Sequence, residues 1–289
     1  MIIIQIRRPL LIILMFVVAI SFIITNNTKN DEELNDKIIT IQGVVKGKIE
    51  KKRYNQYKVG VFLINDYTKN KNLKIGQKVN ITGKFKSLDK MKYDDFDYGR
   101  YIKSTGYKGI VYINNYKIID KNKLYSLIGE IKFYISKTYR YLYKKNSDFI
   151  NSILLAEVEN LTEEQKEIFT RTGTSHVISI SGLHTGILCV IISFLLRGIN
   201  KLYKLLILSI FITLYCIMVG ASPSIIRSIA FVMIFYLSIF IDRKKDGISA
   251  LSLIGIILIM NNPYVIYNVS FQLSFLATLS ILIFYNKIN

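Results

Sequence analysis

An α+β membrane protein, in which an outward β-barrel domain precedes a polytopic α-helical membrane domain, is the fold class that three observations predict. Hydrophobic residues make up 51% of the 289-residue chain, more than an ordinary water-soluble globule needs for its core. Charge is split: residues 26–148 carry 27 Lys+Arg against 13 Asp+Glu, whereas residues 149–289 carry 10 against 7. The hydrophobic pattern also changes, from short β-branched and aromatic runs in the first half to long apolar runs in the second. A basic segment joined to a nearly neutral apolar half suits a membrane protein whose soluble domain meets a polyanion, either nucleic acid or anionic lipid.

Residues 1–25 read as an N-terminal membrane anchor. Arg7, Arg8 and Pro9 precede the apolar run 10–25, and with residues 2–6 the stretch approaches the ~20 residues that span a bilayer. Its length and the lack of a clear Ala-x-Ala site argue against a cleaved signal peptide.

Residues 26–123 read as an extracytoplasmic β domain. Short runs at 38–48, 57–64, 78–85, 108–113 and 116–119 are separated by turn-forming pairs, notably Asn65-Asp66, Ile75-Gly76 and Asn114-Asn115. Five strands with one helix near 96–104, between the third and the fourth, is the element order of an OB-like barrel.

Residues 124–173 read as an amphipathic helical connector. Leu124, Leu127, Ile128, Ile131, Ile135 and Leu142 follow a helical period, with Lys132, Lys137, Arg140, Lys144 and Lys145 mostly on the other face. This predicts a helix lying at a membrane interface. Thr162 and Gln165 have capping-box spacing, Glu163 and Glu164 suit the positive end of a helix dipole, and Gly173 closes the helix.

Residues 174–289 read as the polytopic domain, with apolar segments at 176–196, 202–220, 225–241, 248–260 and 265–285. With the Arg7/Arg8 end inside, alternation places Arg197, Lys201 and Lys204 inside, then Arg243, Lys244 and Lys245, and finally Lys287. The intervening outer turns at 221–223 and 261–263 carry no charge. The basic domain is long enough to be exempt from the rule and is placed outside. Residues 248–260 are short for a span, so a tilted or re-entrant piece competes there, and the placement of Lys287 depends on it. Cys189 and Cys216 both sit in apolar runs and read as small buried hydrophobes.

Polar groups at membrane depth are costly unless they face a bundle interior or a watery path, which draws attention to 172–184. His176 and His184 would lie about 12 Å apart on one continuous helix, too far to share a metal ion, and no metal or other cofactor is expected. Each has a bland reading, interfacial for His176 and helix-packing for His184, beside a functional one. Ser181 and Gly182 read either as a helix break lining a cavity or as small residues at a close helix crossing. Arg227, a turn beyond Pro223, could grip phosphate with its guanidinium fork or snorkel to headgroups. Gln272 reads by default as an interhelical hydrogen-bonder. Lys46, Lys48, Lys51, Lys52 and Arg53, with Tyr54 and Tyr57 beside them, combine charge with stacking faces suited to single strands; a solvated hairpin rim would look the same.

Three groups of motifs together carry a resemblance. These are residues 92–101; residues 153–162 leading into Thr172-Gly173-Thr174-Ser175-His176 and Ser181-Gly182-Leu183-His184; and Gly220-Ala221-Ser222-Pro223 with Arg227, Asn262-Pro263 and 270–275. In order and spacing they resemble the ComEC-type competence proteins. The resemblance implies a plasma-membrane component that passes one strand of transforming DNA into bacteria, with an outward OB-like domain before a competence domain. It implies further that His176, Ser181, Gly182, His184, Pro223, Arg227 and Gln272 fall on motif positions in channel-forming helices. Larger members continue with more helices and often a metallo-β-lactamase-like domain. This sequence stops two residues after Lys287, which leaves the expected pore incomplete and gives no ground for nuclease activity.

The expectation is therefore a channel component for single-stranded DNA, not an enzyme, that meets the lipid bilayer, other competence proteins and a second copy of itself as partners. The rivals are a membrane-anchored lipid- or polyanion-binding module, a small-solute transporter, a truncated inactive remnant, and an intramembrane serine hydrolase using Ser179, Ser181, Ser222 or Ser224 with His184. No spacing indicates the base and oxyanion hole that the hydrolase requires.

Overall fold

The computed structural model describes residues 8–27, 34–51, 53–89, 91–93, 96–174, 182–220, 225–226, 229–230, 233–234 and 246–288. Its first helix, α1 (Pro9–Asn27), leads into a barrel built from β1 (Ile38–Glu50), β2 (Asn55–Val59), β3 (Phe62–Asp66), β4 (Gln77–Ser87) and β7 (Gly109–Lys121). A small hairpin, β5 (Lys92–Tyr93) and β6 (Phe96–Asp97), and the helix α2 (Tyr98–Ser104) lie between β4 and β7. The barrel closes in the order β1-β2-β3-β7-β4. Closure needs one parallel pairing, β3 with β7 in the register Ile64↔Val111, while the other neighbours run antiparallel.

Period-two patterning fills the barrel. Along β4, Val79, Ile81 and Phe85 turn inward with polar residues between them, and they meet Val45, Tyr57 and Val111 in one core. Phe62 packs edge-on against Phe85 at 6.2 Å between ring centres.

The number of barrel strands agrees with the sequence reading, but two boundaries do not, and because of them α2 falls between the fourth and fifth barrel strands and not between the third and fourth. The run 57–64 is a hairpin, β2 and β3, turned at Gly60 with a left-handed φ of 58°. Its flanking Val59 and Val61 disguise that turn as strand. Conversely, 108–113 and 116–119 belong to one strand, and Asn114 is the extra residue of a bulge where the register slips between Gly83↔Ile113 and Thr82↔Asn115. Gly83 is needed opposite the bulge, since a Cβ there would stand 2.3 Å from the Tyr112 carbonyl oxygen.

Beyond the barrel come α3 (Lys123–Tyr143), α4 (Ser147–Leu155) and α5 (Glu163–Arg171). The capping box forms as the spacing predicts: Gln165 N donates to Thr162 Oγ1 at 3.2 Å, and Thr162 N donates to Gln165 Oε1 at 3.0 Å. Helices α6 (Gly182–Leu195), α7 (Lys201–Val219), α8 (Gly247–Asn261) and α9 (Val269–Ile288) follow, with a 3₁₀ turn at Pro263–Tyr267. Of the segment 225–241, only 225–226, 229–230 and 233–234 are described, and these are helical.

Among the described residues, two helices, α1 and α7, are long and apolar enough to cross a membrane, and shorter apolar helices occupy His184–Leu195, Gly247–Asn261 and Val269–Phe284. Large apolar side chains such as Met15, Phe16, Ile210 and Met260 point away from the protein. Cys189 is buried and Cys216 half-buried, and neither forms a disulfide.

Candidate nucleic-acid interface and the seam below it

The predicted basic rim forms at one end of the barrel, in the loop joining β1 to β2. Lys51 Nζ lies 5.2 Å from the Tyr54 ring centre and donates to its hydroxyl at 3.2 Å. Arg53 is exposed in the same loop, and Lys46 is exposed where β1 bulges against β2. Lys48 is already engaged, 2.6 Å from Glu50 and 3.5 Å from Asn72 Oδ1. Lys52 lies outside the described residues.

Tyr57 requires a correction. It alternates inward on β2, is 0% exposed, and donates its hydroxyl to the Lys71 carbonyl. Burial raises its pKa above the usual phenol value. It has no free face to offer a base. Tyr54 packs instead against further tyrosines: it sits 4.8 Å from Tyr67, and Tyr67 sits 5.9 Å from Tyr112. Tyr67 is 56% exposed. Three tyrosines beside Lys51 make a ladder of π-faces next to a cation, the combination that holds successive bases of a single strand. The β2–β3 hairpin, with Asn55 opposite Asp66, brings Tyr67 beside Tyr54, and the parallel β3–β7 pairing that closes the barrel adds Tyr112.

Below the barrel, two motifs noted separately in the sequence meet. Asp97 caps α2 by accepting from Arg100 N at 2.8 Å. Gly99 lets that helix lie against the backbone at Leu88, where a Cβ would stand 1.9 Å from the carbonyl oxygen. At the far end of α2, Asn262 Nδ2 donates to the carbonyls of Lys103 at 2.8 Å and Ser104 at 3.3 Å. Asn268 Nδ2 donates to Ser104 Oγ at 3.1 Å, while Asn268 Oδ1 accepts from Phe271 N at the start of α9. Arg100 stacks over Tyr267, 4.9 Å from its ring centre.

The first helix joins the same seam. Ser21 Oγ donates to Pro263 O at 2.7 Å, and the Thr25 and Tyr267 hydroxyls lie 2.9 Å apart. At its opposite end, Arg8 approaches Asp246 at 3.7 Å. Helices α1 and α8 therefore run parallel along their lengths. Gly255 serves this crossing, since a Cβ there would meet Leu14 at 2.9 Å and Phe275 at 3.1 Å.

Among the expected path residues, His176, Ser181, Pro223 and Arg227 lie outside the described residues. Gly182 and His184 sit in the first turn of α6, with His184 half-buried. Gln272 is exposed on α9 and donates to Ile266 O at 2.6 Å, which ties the helix to the turn before it.

The barrel is seated on the apolar helices through Asn262-Pro263 and Asn268. Residues 153–289 match the Competence protein family, so the resemblance to ComEC-type competence proteins holds over that part of the chain. ComE operon protein 3 of Bacillus subtilis (strain 168) is 26% identical over 165 residues, 56% of this chain and 21% of that protein. An uncharacterised protein of Aquifex aeolicus (strain VF5) is 30% identical over 125 residues, 43% of this chain and 30% of that protein. The chain thus corresponds to a minor part of the length of both relatives. A solved aspartyl tRNA synthetase from Entamoeba histolytica, 12% identical, covers 65% of this chain and 44% of its own with a TM-score of 0.23, too low to carry any argument.

Proposed function

We propose that the chain is a plasma-membrane component of competence DNA uptake, in which an outward OB-type barrel gathers single-stranded DNA and the helices pass it inward without chemistry. The observation that carries this reading is the way the barrel sits on the competence-family segment. The barrel side reaches both uncharged turns assigned to the outer face, through Lys58 beside Gly220 and through Ser104 at Asn262 and Asn268. The opposite ends of α1 and α8 meet at Arg8 and Asp246, where the sequence assigns the inner face. These contacts agree with the orientation assigned from the charged loops. The rim then faces outward, with the strand order of an OB-type barrel and the loop between its first two strands carrying the cations and Tyr54.

The test is uptake of end-labelled DNA into a DNase-protected form in competent cells of the source strain, with and without the gene. Loss on deletion supports the reading. Unchanged uptake in a strain shown to be competent rejects it in favour of a binding module or an inactive remnant.

A further inference from the structure

The barrel meets the helices at a second place, away from the Asn262–Asn268 seam, and two lysines converge there. Lys58 lies on the outward face of β2 between the buried Tyr57 and Val59. Its stem crosses Gly47 on β1, where even a Cβ would come within 3.2 Å of Lys58 Cδ. Its ammonium ends 3.9 Å from where a Cβ on Gly220 would stand, at the head of the Gly220-Ala221-Ser222-Pro223 motif. Lys132 lies on the inner face of α3, one turn before the buried Ser136. Ser136 Oγ donates to Glu157 Oε2 at 3.0 Å, and Asn160 Nδ2 donates to the same oxygen at 3.0 Å. Glu157 is thus held at the junction by neutral donors.

Burial pushes both ammonium groups below their ordinary pKa. Glu159 opposes this for Lys58, Glu157 opposes it for Lys132, and the Lys58 charge lowers Lys132 further. Yet among the described residues neither lysine has a carboxylate within 4.0 Å. Two half-buried cations that repel each other are therefore partly shielded from water, with their counter-charges at arm's length. Such a pair is costly unless an anion completes it. The same junction leaves Asn151, whose carbonyl accepts from Glu157 N at 3.3 Å, fully buried with no hydrogen-bond partner for its side-chain amide.

We propose that Lys58 and Lys132 form a phosphodiester-binding station at the point where barrel, connector helix and Gly220 meet, and that a backbone phosphate of single-stranded DNA occupies it between the rim and the helices. The proposal rests on the uptake reading and names a site that the reading does not require. An ammonium suits this role better than a guanidinium, because a point charge holds a phosphate without fixing the strand bidentately.

The test uses the full chain in phosphatidylcholine nanodiscs, with fluorescence anisotropy of a labelled oligothymidylate at several salt concentrations. Lys58→Gln/Lys132→Gln should bind at least tenfold more weakly at low salt, and the slope of log K against log[salt] should fall by about 1.4, two phosphate contacts at ~0.7 each for a single strand. The pair Lys58→Arg/Lys132→Arg should keep most of the binding. Without DNA, the Gln variant should melt no lower than wild type, since it removes an uncompensated charge. An unchanged affinity and slope, with binding still lost on Lys51→Ala/Tyr67→Ala, would overturn the station and leave the uptake reading standing. A lower melting temperature of the DNA-free Gln variant would overturn it in favour of a structural role. A lysine-dependent melting shift in phosphatidylglycerol discs, without any oligonucleotide binding, would assign the phosphate to a lipid headgroup and overturn the DNA assignment.

Discussion

Asn268 reaches Ser104 across 164 residues of sequence, and that one buried hydrogen bond joins the start of the last helix to the end of the barrel's helix. Asn268 is 5% exposed and Ser104 1%. Neither group has water to fall back on: truncating Ser104 strands the Asn268 amide, whereas Ser104 Oγ keeps its own bond to the Tyr101 carbonyl at 2.6 Å. Asn268→Ala should cost about 1–3 kcal/mol, with part of that loss arising from the α9 cap at Phe271. A double-mutant cycle with Ser104→Ala, read from melting temperatures of the solubilised full chain, should show positive coupling because the second truncation removes a group already left unpaired.

Gly99→Ala should be more damaging than its chemistry suggests. The added Cβ would meet a backbone oxygen at 1.9 Å, and backbone cannot swing aside as a side chain can. Helix α2 must move off Leu88, which also pulls Ser104 from Asn268. We expect a loss of about 1–3 kcal/mol or more from overpacking, visible as faster hydrogen exchange at both α2 and the 262–268 linker.

At the rim, Tyr67→Ala should weaken single-stranded DNA binding by about 1–3 kcal/mol, the value of one stacked base. Tyr57→Phe is the contrasting case. It deletes a hydroxyl bond to the Lys71 carbonyl inside the core, so stability should fall by about 0.5–1.5 kcal/mol while DNA affinity stays the same. Equal effects of both changes on binding would contradict the ladder.

Lys58 and Lys132 also predict a proton signature. Their folded pKa values lie below the ordinary 10.5, so between the lowered values and 10.5 the folded protein binds fewer protons than the unfolded chain. Stability should rise with pH across that alkaline window and level off above it. A bound phosphate raises both pKa values again, so DNA binding there should take up protons. Calorimetry in two buffers of different ionisation enthalpy measures that uptake, and Lys58→Gln/Lys132→Gln should abolish it.

Much of this arrangement is legible in the sequence, because its local signals are strong. The Thr162–Gln165 box, the periodicity of α3 and the alternation along β4 each follow from residues within a few positions. The misread elements are those where local chemistry pointed the wrong way. Gly60 between two valines looks like strand, and Asn114-Asn115 looks like a turn although long pairing with β4 carries the strand through it. Tyr57 next to Lys58 looks like rim, yet strand alternation sends the tyrosine inward and the lysine out. The Tyr54–Tyr67–Tyr112 row and the approach of Lys58 to Lys132 are properties of hairpin pairing, closure and docking, and no stretch of ten residues contains them.

The bonds from Ser21 and Thr25 to the 263–267 turn tie together positions 242 residues apart. A ribosome makes α1 242 residues before these partners, so until they emerge this helix has two hydroxyl groups and the Gly255 groove still unmatched. Long-range pairings of this kind form late in folding. The N-terminal helix is thus less a tether for the barrel than a keystone, set when the 263–267 turn emerges, and truncation before that turn should leave it open to quality-control proteases even though the barrel is complete.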